Sequence, residues 1–252
     1  MKIFWQGRER SVLDKGLCAD GTAKYLTELD YGLQAWVPEK FINSEPFRRN
    51  TSRPSIIVCD NFYEDPYAVR DFALNQEYHS DLRYFKGSRS VNRHLWPFLK
   101  EELESLLGLK ITDWLDQTAN GVFQVTDSSD PIVWHSDYQD FAAAVYLTPD
   151  APPSAGTSFW RDKNYECRRP PTHHTELGKF INEDPRRAAD EIFSSHNIVS
   201  PESWELVDSV GSVFNRLVVW DAQMIHSATS YADFDSKNRR LVQLFFFNVR
   251  KD

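Results

Sequence analysis

Two histidines and an aspartate stand out by type and spacing: His135-Ser136-Asp137, and His226 far downstream. Neutral imidazoles and a carboxylate suit a divalent transition metal, and three of them on one face of a six-coordinate ion leave the other face open. That donor set belongs to non-haem Fe(II) oxygen chemistry rather than to a closed structural site. On a strand, residues i and i+2 point the same way, so His135 and Asp137 can reach one ion together. A remote strand must deliver the third ligand.

The segments around these residues have the pattern needed to hold them. Val122–Val125, Pro131–Trp134 running into His135, Phe141–Leu147, Thr157–Trp160, Trp204–Val210, Leu217–Trp220 and Leu241–Val249 read as short strands. The last run is apolar almost without break, which predicts a strand covered on both faces. Upstream, Ser55–Cys59 reads as a buried strand. Asp65-Pro66 supplies a cap and a first-turn proline for a helix over about 66 to 76. Leu95, Leu99, Leu103, Leu106 and Leu107 fall on one face of a second helix that Gly108 ends. Helices first and strands afterwards predict an α+β fold with a β-sandwich or barrel core.

The expected organisation is a single domain over 1–252. Residues 1–53 form an N-terminal elaboration packed on the main body, 54–119 a helical support, and 120–252 the core. Residues 161–200 are rich in charge, proline and histidine, with a short helix around Pro185–Phe193. So long an excursion between strands predicts a cover over the site.

Composition narrows the class. The chain has 252 residues, 41% hydrophobic and 14% aromatic, with a formal charge of −8. Its arginine pairs are each balanced by nearby acids, so a nucleic-acid partner is disfavoured. Cys18, Cys59 and Cys167 are odd in number and lack a CxxC pattern, which argues against a disulfide scaffold or thiolate zinc site and for a reducing interior. Met1–Gln6 turns polar too soon for a signal peptide, and no apolar run approaches the roughly 20 residues of a membrane span. A cytoplasmic location is expected.

Taken in order, these motifs resemble the Fe(II)/2-oxoglutarate-dependent dioxygenases, in particular their prolyl-hydroxylase-like branch. The resemblance is carried by His135-Ser136-Asp137, Val145-Tyr146-Leu147, Gly156-Thr157-Ser158-Phe159, Leu217–Asp221, His226 and Arg240, over roughly half the chain (about residues 120–249). It implies a double-stranded β-helix, a jelly-roll or cupin-like core with flanking N-terminal helices. Iron would be held by His135, Asp137 and His226, with 2-oxoglutarate as cosubstrate and O2 as oxidant. The resemblance also makes Arg240 the anchor for the C5 carboxylate of 2-oxoglutarate, since a guanidinium fork matches a carboxylate. The interval from His226 to Arg240 is longer than usual in that branch, so Arg239 remains eligible beside it. Halogenases related to this family lack the carboxylate ligand, so Asp137 favours hydroxylation of an unactivated C–H bond. The expected substrate is a small molecule, an amino acid or a peptide.

Other polar residues divide between roles. Tyr146 and Gln124 are candidates for cosubstrate contact or for packing, whereas Trp134 and Trp220 fit packing. His173-His174 reads as a solvated loop because neighbouring side chains point apart, and His79, His94 and His196 lack partners at ligand spacing. Two other classes fit the barrel: a cupin-like metal-dependent hydrolase or isomerase using Zn(II) or Mn(II), and a non-catalytic ligand-binding barrel. The first needs a general base, and no HExxH or paired-carboxylate pattern supplies one.

Overall fold

In the computed structural model, described for residues 2–5, 8–28, 34–39, 54–81, 86–172, 180, 184–194 and 197–250, the chain forms two compact units, Met1–Arg53 and Pro54–Asp252. The first is an antiparallel meander of β1 (Lys2–Trp5), β2 (Arg8–Leu17), β3 (Ala23–Glu28) and β4 (Gln34–Pro38), in that order. Asp20-Gly21 makes the β2–β3 turn. The Asp20 carboxylate accepts from the Thr22 amide at 3.0 Å, and Gly21 takes a positive φ of 82° that disfavours a side chain.

The second unit is dominated by sheet. A seven-stranded sheet is built from β5 (Ile56–Cys59), β6 (Tyr78–His79), β7 (Ser88–Ser90), β8 (Val122–Thr126), β9 (Phe141–Tyr146), β12 (Leu217–Asp221) and β14 (Arg240–Phe247), in the spatial order β5-β12-β9-β14-β8-β7-β6. Opposite it, β10 (Thr157–Asp162) pairs with β11 (Trp204–Val210) on one side and β13 (His226–Ala228) on the other. A bridge from His135 to His226 extends this smaller sheet. All pairings are antiparallel, and the chain alternates between the sheets as in a jelly roll.

Helices α1 (Pro66–Leu74) and α2 (Pro97–Leu107) cover the outer face of the larger sheet, and α3 (Pro185–Ile192) lies in the long excursion. The Asp65 carboxylate caps α1 by accepting from Ala68 N–H at 3.0 Å. Gly108 ends α2 in the left-handed region, while Leu99, Leu103 and Leu107 turn inward. The second helix starts at Pro97 rather than at Leu95, because the residue before a proline is driven to extended backbone and Trp96 adopts φ −60°, ψ 144°.

Period-two alternation assigns the faces of the larger sheet. Phe141, Ala143 and Val145 of β9 and Leu241, Phe245 and Phe247 of β14 join the helix-side core. Ala142, Ala144 and Tyr146, with Val242, Leu244 and Phe246, turn toward the smaller sheet and Phe159. Both faces of β14 are therefore covered, which is why its sequence is nearly all apolar. Pro131–Trp134 is not a regular strand. Pro131 has no amide to give a ladder, Trp134 N–H donates to Ile198 O at 3.0 Å, and pairing starts only at His135.

Candidate metal centre

His226 lies on β13, held in register opposite Phe159 of β10. Its backbone exchanges two hydrogen bonds with His135, from His135 N–H to His226 O at 3.1 Å and from His226 N–H to His135 O at 2.8 Å. Asp137 N–H donates to Ala222 O at 2.8 Å, pinning the third residue to the same neighbourhood. The three side chains offer ligand atoms that all lie within 4.8 Å of one another.

The tautomers follow from the hydrogen bonds. His135 Nδ1 lies 3.1 Å from Val133 O, and His226 Nδ1 lies 2.7 Å from Met224 O. A carbonyl only accepts, so both Nδ1 atoms carry the proton and both Nε2 atoms present lone pairs. These lone pairs face Asp137: His226 Nε2 is 3.3 Å from Oδ2, and His135 Nε2 is 4.0 Å from Oδ1. Asp137 Oδ2 is buried and lacks a hydrogen-bond partner among the described residues. Three electron-pair donors thus converge with no proton between them, an arrangement that a cation would satisfy. The residues present fit a divalent metal.

Charge states agree with this. Although 47% of the His135 side chain is exposed, it opens into a cavity; the walls and then His226 push its pKa down, favouring the neutral ring. Burial works against the charge of Asp137, whereas the nearby Arg89 guanidinium favours it. Below its folded pKa the carboxylate, and the donor set with it, is lost.

The cavity beside the triad measures about 440 Å³, within the range of small-molecule sites. Arg240 forms part of its wall and is only 6% exposed. Its Nε donates to Ala155 O at 2.7 Å, and its guanidinium lies over the rings of Tyr146 at 5.5 Å and Tyr231 at 5.7 Å. Gly156 lets the backbone of Val210 pass close by, since a Cβ there would meet Val210 O at 1.9 Å. Among the described residues no carboxylate pairs with Arg240. Arg239, immediately before β14, lies 3.4 Å from Asp127 Oδ2.

The remaining candidates are placed differently. Gln124 lines the cavity, donating to Lys86 O at 2.8 Å and accepting from Arg89 Nε at 3.4 Å. Tyr146 is fully buried behind the wall, its hydroxyl 2.8 Å from that of Thr157, which does line the cavity. Trp220 lines the cavity 5.2 Å from the His226 ring, with its indole N–H unpartnered. Trp134 instead packs among Trp160 and Trp204. His79 and His94 lie outside the cluster. His173, His174 and His196 lie outside the described residues.

Among the wall residues that escaped the sequence reading are Lys86, Arg89 and Tyr231. Arg89 is the centre of the three-residue strand β7, which has no hydrophobic alternation, Lys86 lies just before that strand, and Tyr231 sits in a polar loop, so no local pattern marked them.

Among known proteins, the family of unknown function DUF6445 matches residues 42–241. No curated protein matches the chain. Similar solved structures include HygX from Streptomyces hygroscopicus with nickel and 2-oxoglutarate, both with and without hygromycin B. Its TM-score is 0.43 at 12% identity, over 78% of this chain and 83% of that one. TqaL, an Fe(II)/α-ketoglutarate-dependent dioxygenase, gives a TM-score of 0.36 at 15% identity, over 80% of this chain and 84% of that one. Likeness this distant leaves the reading of the site to its own geometry.

Proposed function

The chain belongs to the DUF6445 family, and we propose that it is an Fe(II)- and 2-oxoglutarate-dependent oxygenase. In this reading it hydroxylates an unactivated C–H bond of a small molecule, amino acid or peptide. The observation that carries the reading is the convergence of two Nε2 lone pairs and a carboxylate oxygen beside a buried guanidinium, the last two without a hydrogen-bonding or acidic partner, respectively, among the described residues.

His135, Asp137 and His226 would hold the iron on one side and leave its other positions facing the cavity. Bound Fe(II) with 2-oxoglutarate would supply the oxidising power, coupling O2 reduction to decarboxylation of the keto acid. The protein's own groups handle orientation. Arg240 takes the distal carboxylate of 2-oxoglutarate in a planar fork, its Nε already fixed on Ala155 O and its plane set by Tyr146 and Tyr231. Ala144, opposite Leu244, leaves room at the floor, while Val242 and Phe246 add apolar wall.

The hydrolase alternative lacks its base: Asp137 is the sole acidic residue in the described wall, and it belongs to the ligand set. No helix among the described residues is long and apolar enough to cross a membrane. All three cysteines are free, which supports a reducing compartment.

The test is calorimetry with Ni(II) and 2-oxoglutarate, followed by succinate release with Fe(II) in air. Tight, metal-dependent 2-oxoglutarate binding is expected. Full zinc occupancy with no affinity for 2-oxoglutarate would instead favour the hydrolase class.

A further inference from the structure

Gln139 stands two residues beyond Asp137 and lines the cavity. Backbone donors fix the chain on both sides of it, Asp137 N–H to Ala222 O at 2.8 Å and Asp140 N–H to Asn248 Oδ1 at 2.9 Å.

A relay that starts at the backbone sets the direction of the Gln139 amide. Asn248 Oδ1 takes the Asp140 N–H, so Asn248 Nδ2 faces Asp113 and donates to its Oδ2 at 2.7 Å. The Asn248 N–H donates to Asp113 Oδ1 at 2.6 Å. Asp113 is therefore an acceptor at both oxygens, and Gln117 meets it with Nε2. That turns Gln117 Oε1 to Gln139, from whose Nε2 it accepts at 2.9 Å. Reversing either glutamine would set oxygen against oxygen or N–H against N–H. Gln139 is left with Oε1 as its open acceptor, which takes no hydrogen bond among the described residues.

The site of this acceptor within the cavity assigns it to one ligand. Arg240, Val242, Leu244 and Phe246 line the cavity from successive inward positions of β14, a row about 20 Å from end to end. Gln139 belongs to the Phe246 end, since it lies just before Phe141, which pairs with Phe247. Ala119 is at the same end, because its neighbour Asn120 accepts the Phe246 N–H at 3.2 Å. In the oxygenase reading, on which this inference rests, 2-oxoglutarate occupies the Arg240 end. The Phe246 end is left to the prime substrate, with Ala119, Leu244 and Phe246 as apolar wall. Asp137, the sole acid in the described wall, belongs to the metal, so an ammonium group finds no counter-charge there.

We propose that the prime substrate presents an uncharged N–H or O–H donor, an amide or a hydroxyl on an apolar body, to Gln139 Oε1. Gln139 sets specificity for it, and Gln117 positions Gln139. A ligand of the same shape that only accepts is rejected, because it sets its oxygen against that of Gln139.

The test uses protein loaded with Ni(II), which supports no turnover, and saturated with 2-oxoglutarate. Hexanamide and 2-heptanone, alike in shape but differing in the N–H, are titrated by calorimetry into wild type, Gln139→Met and Gln117→Met. The ratio of hexanamide to 2-heptanone affinity should be about fivefold or more higher in wild type than in Gln139→Met. In Gln117→Met the Gln139 amide is free to turn its N–H to a ketone, so 2-heptanone should gain affinity and the ratio fall. Circular dichroism of each variant is the folding control.

An unchanged ratio in either variant overturns the proposal, as does undetectable hexanamide binding to wild type. Loss of 2-oxoglutarate binding in folded Gln139→Met overturns it too, by placing Gln139 at the cosubstrate. Each of these leaves the oxygenase reading standing. Failure of wild type to bind 2-oxoglutarate with Ni(II) removes both.

Discussion

Arg240→Gln should weaken cosubstrate affinity about 100-fold without unfolding the protein. The native guanidinium is buried with no acidic partner among the described residues and makes one short hydrogen bond, from Nε to Ala155 O at 2.7 Å. Losing that bond costs about 1 kcal/mol, but removing an unpaired buried cation relieves a desolvation penalty of opposite sign. The metal-free stability should thus change by no more than about 1 kcal/mol. Binding behaves differently. Losing the charge-assisted contact to the distal carboxylate should cost about 3 kcal/mol, or about 100-fold in Kd.

Thermal unfolding with Ni(II) reads this directly. At 2-oxoglutarate roughly 100-fold above the wild-type Kd, binding stabilises the native state by about 2.7 kcal/mol; at the weakened Kd the gain falls to about 0.4 kcal/mol. With about 2–4 °C per kcal/mol for a unit of this size, the shift should drop from about 5–10 °C to about 1 °C. Arg239→Gln is the control: it breaks an ion pair with Asp127 that is partly open to solvent, worth up to about 1 kcal/mol, and should leave the ligand-induced shift intact. A full shift in Arg240→Gln, or its loss in Arg239→Gln, would refute the assignment.

Three further outcomes are expected. Asp137→Ala should reduce Ni(II) affinity by about 100-fold or more while circular dichroism stays native, because it removes a ligand and not a packing element; unchanged metal binding would break the ligand assignment. Gly87→Ala should lower stability in urea by about 2–4 kcal/mol, since it combines a positive φ with a Cβ directed at Val125 O, and wild-type stability would show that β7 adjusts freely. Ala144→Leu should fill the cavity floor, with 2-oxoglutarate binding falling further than the about 1–3 kcal/mol destabilisation from overpacking explains; undiminished binding would place the cosubstrate elsewhere.

Some of this was legible because the information is local. A carboxylate two residues from a histidine shares its direction wherever backbone is extended, so His135 and Asp137 could be paired before any fold was known. The ends of α1 and α2 were written in Asp65, Pro66 and Gly108, whose conformational preferences act on their own neighbours. The four-stranded meander went unread for a matching reason. A register shift between Val12 and Asp14 puts β2 out of phase, leaving Leu13 and Leu17 exposed and no clean alternation to detect.

The sequence alone determined which residues can bind a metal and that short apolar strands surround them. Tertiary structure decided which of two adjacent arginines enters the cavity, because alternation says that Arg239 and Arg240 point apart but not which way β14 faces. The pairing of β14 with β8 and β9 settles that, turning Arg240 toward the smaller sheet and Arg239 toward Asp127. Arg89 owes its place wholly to pairing, since a three-residue polar strand acquires an inside only when β8 lies alongside it. Side-chain type is a property of one residue, whereas facing a cavity depends on strands far apart in the chain.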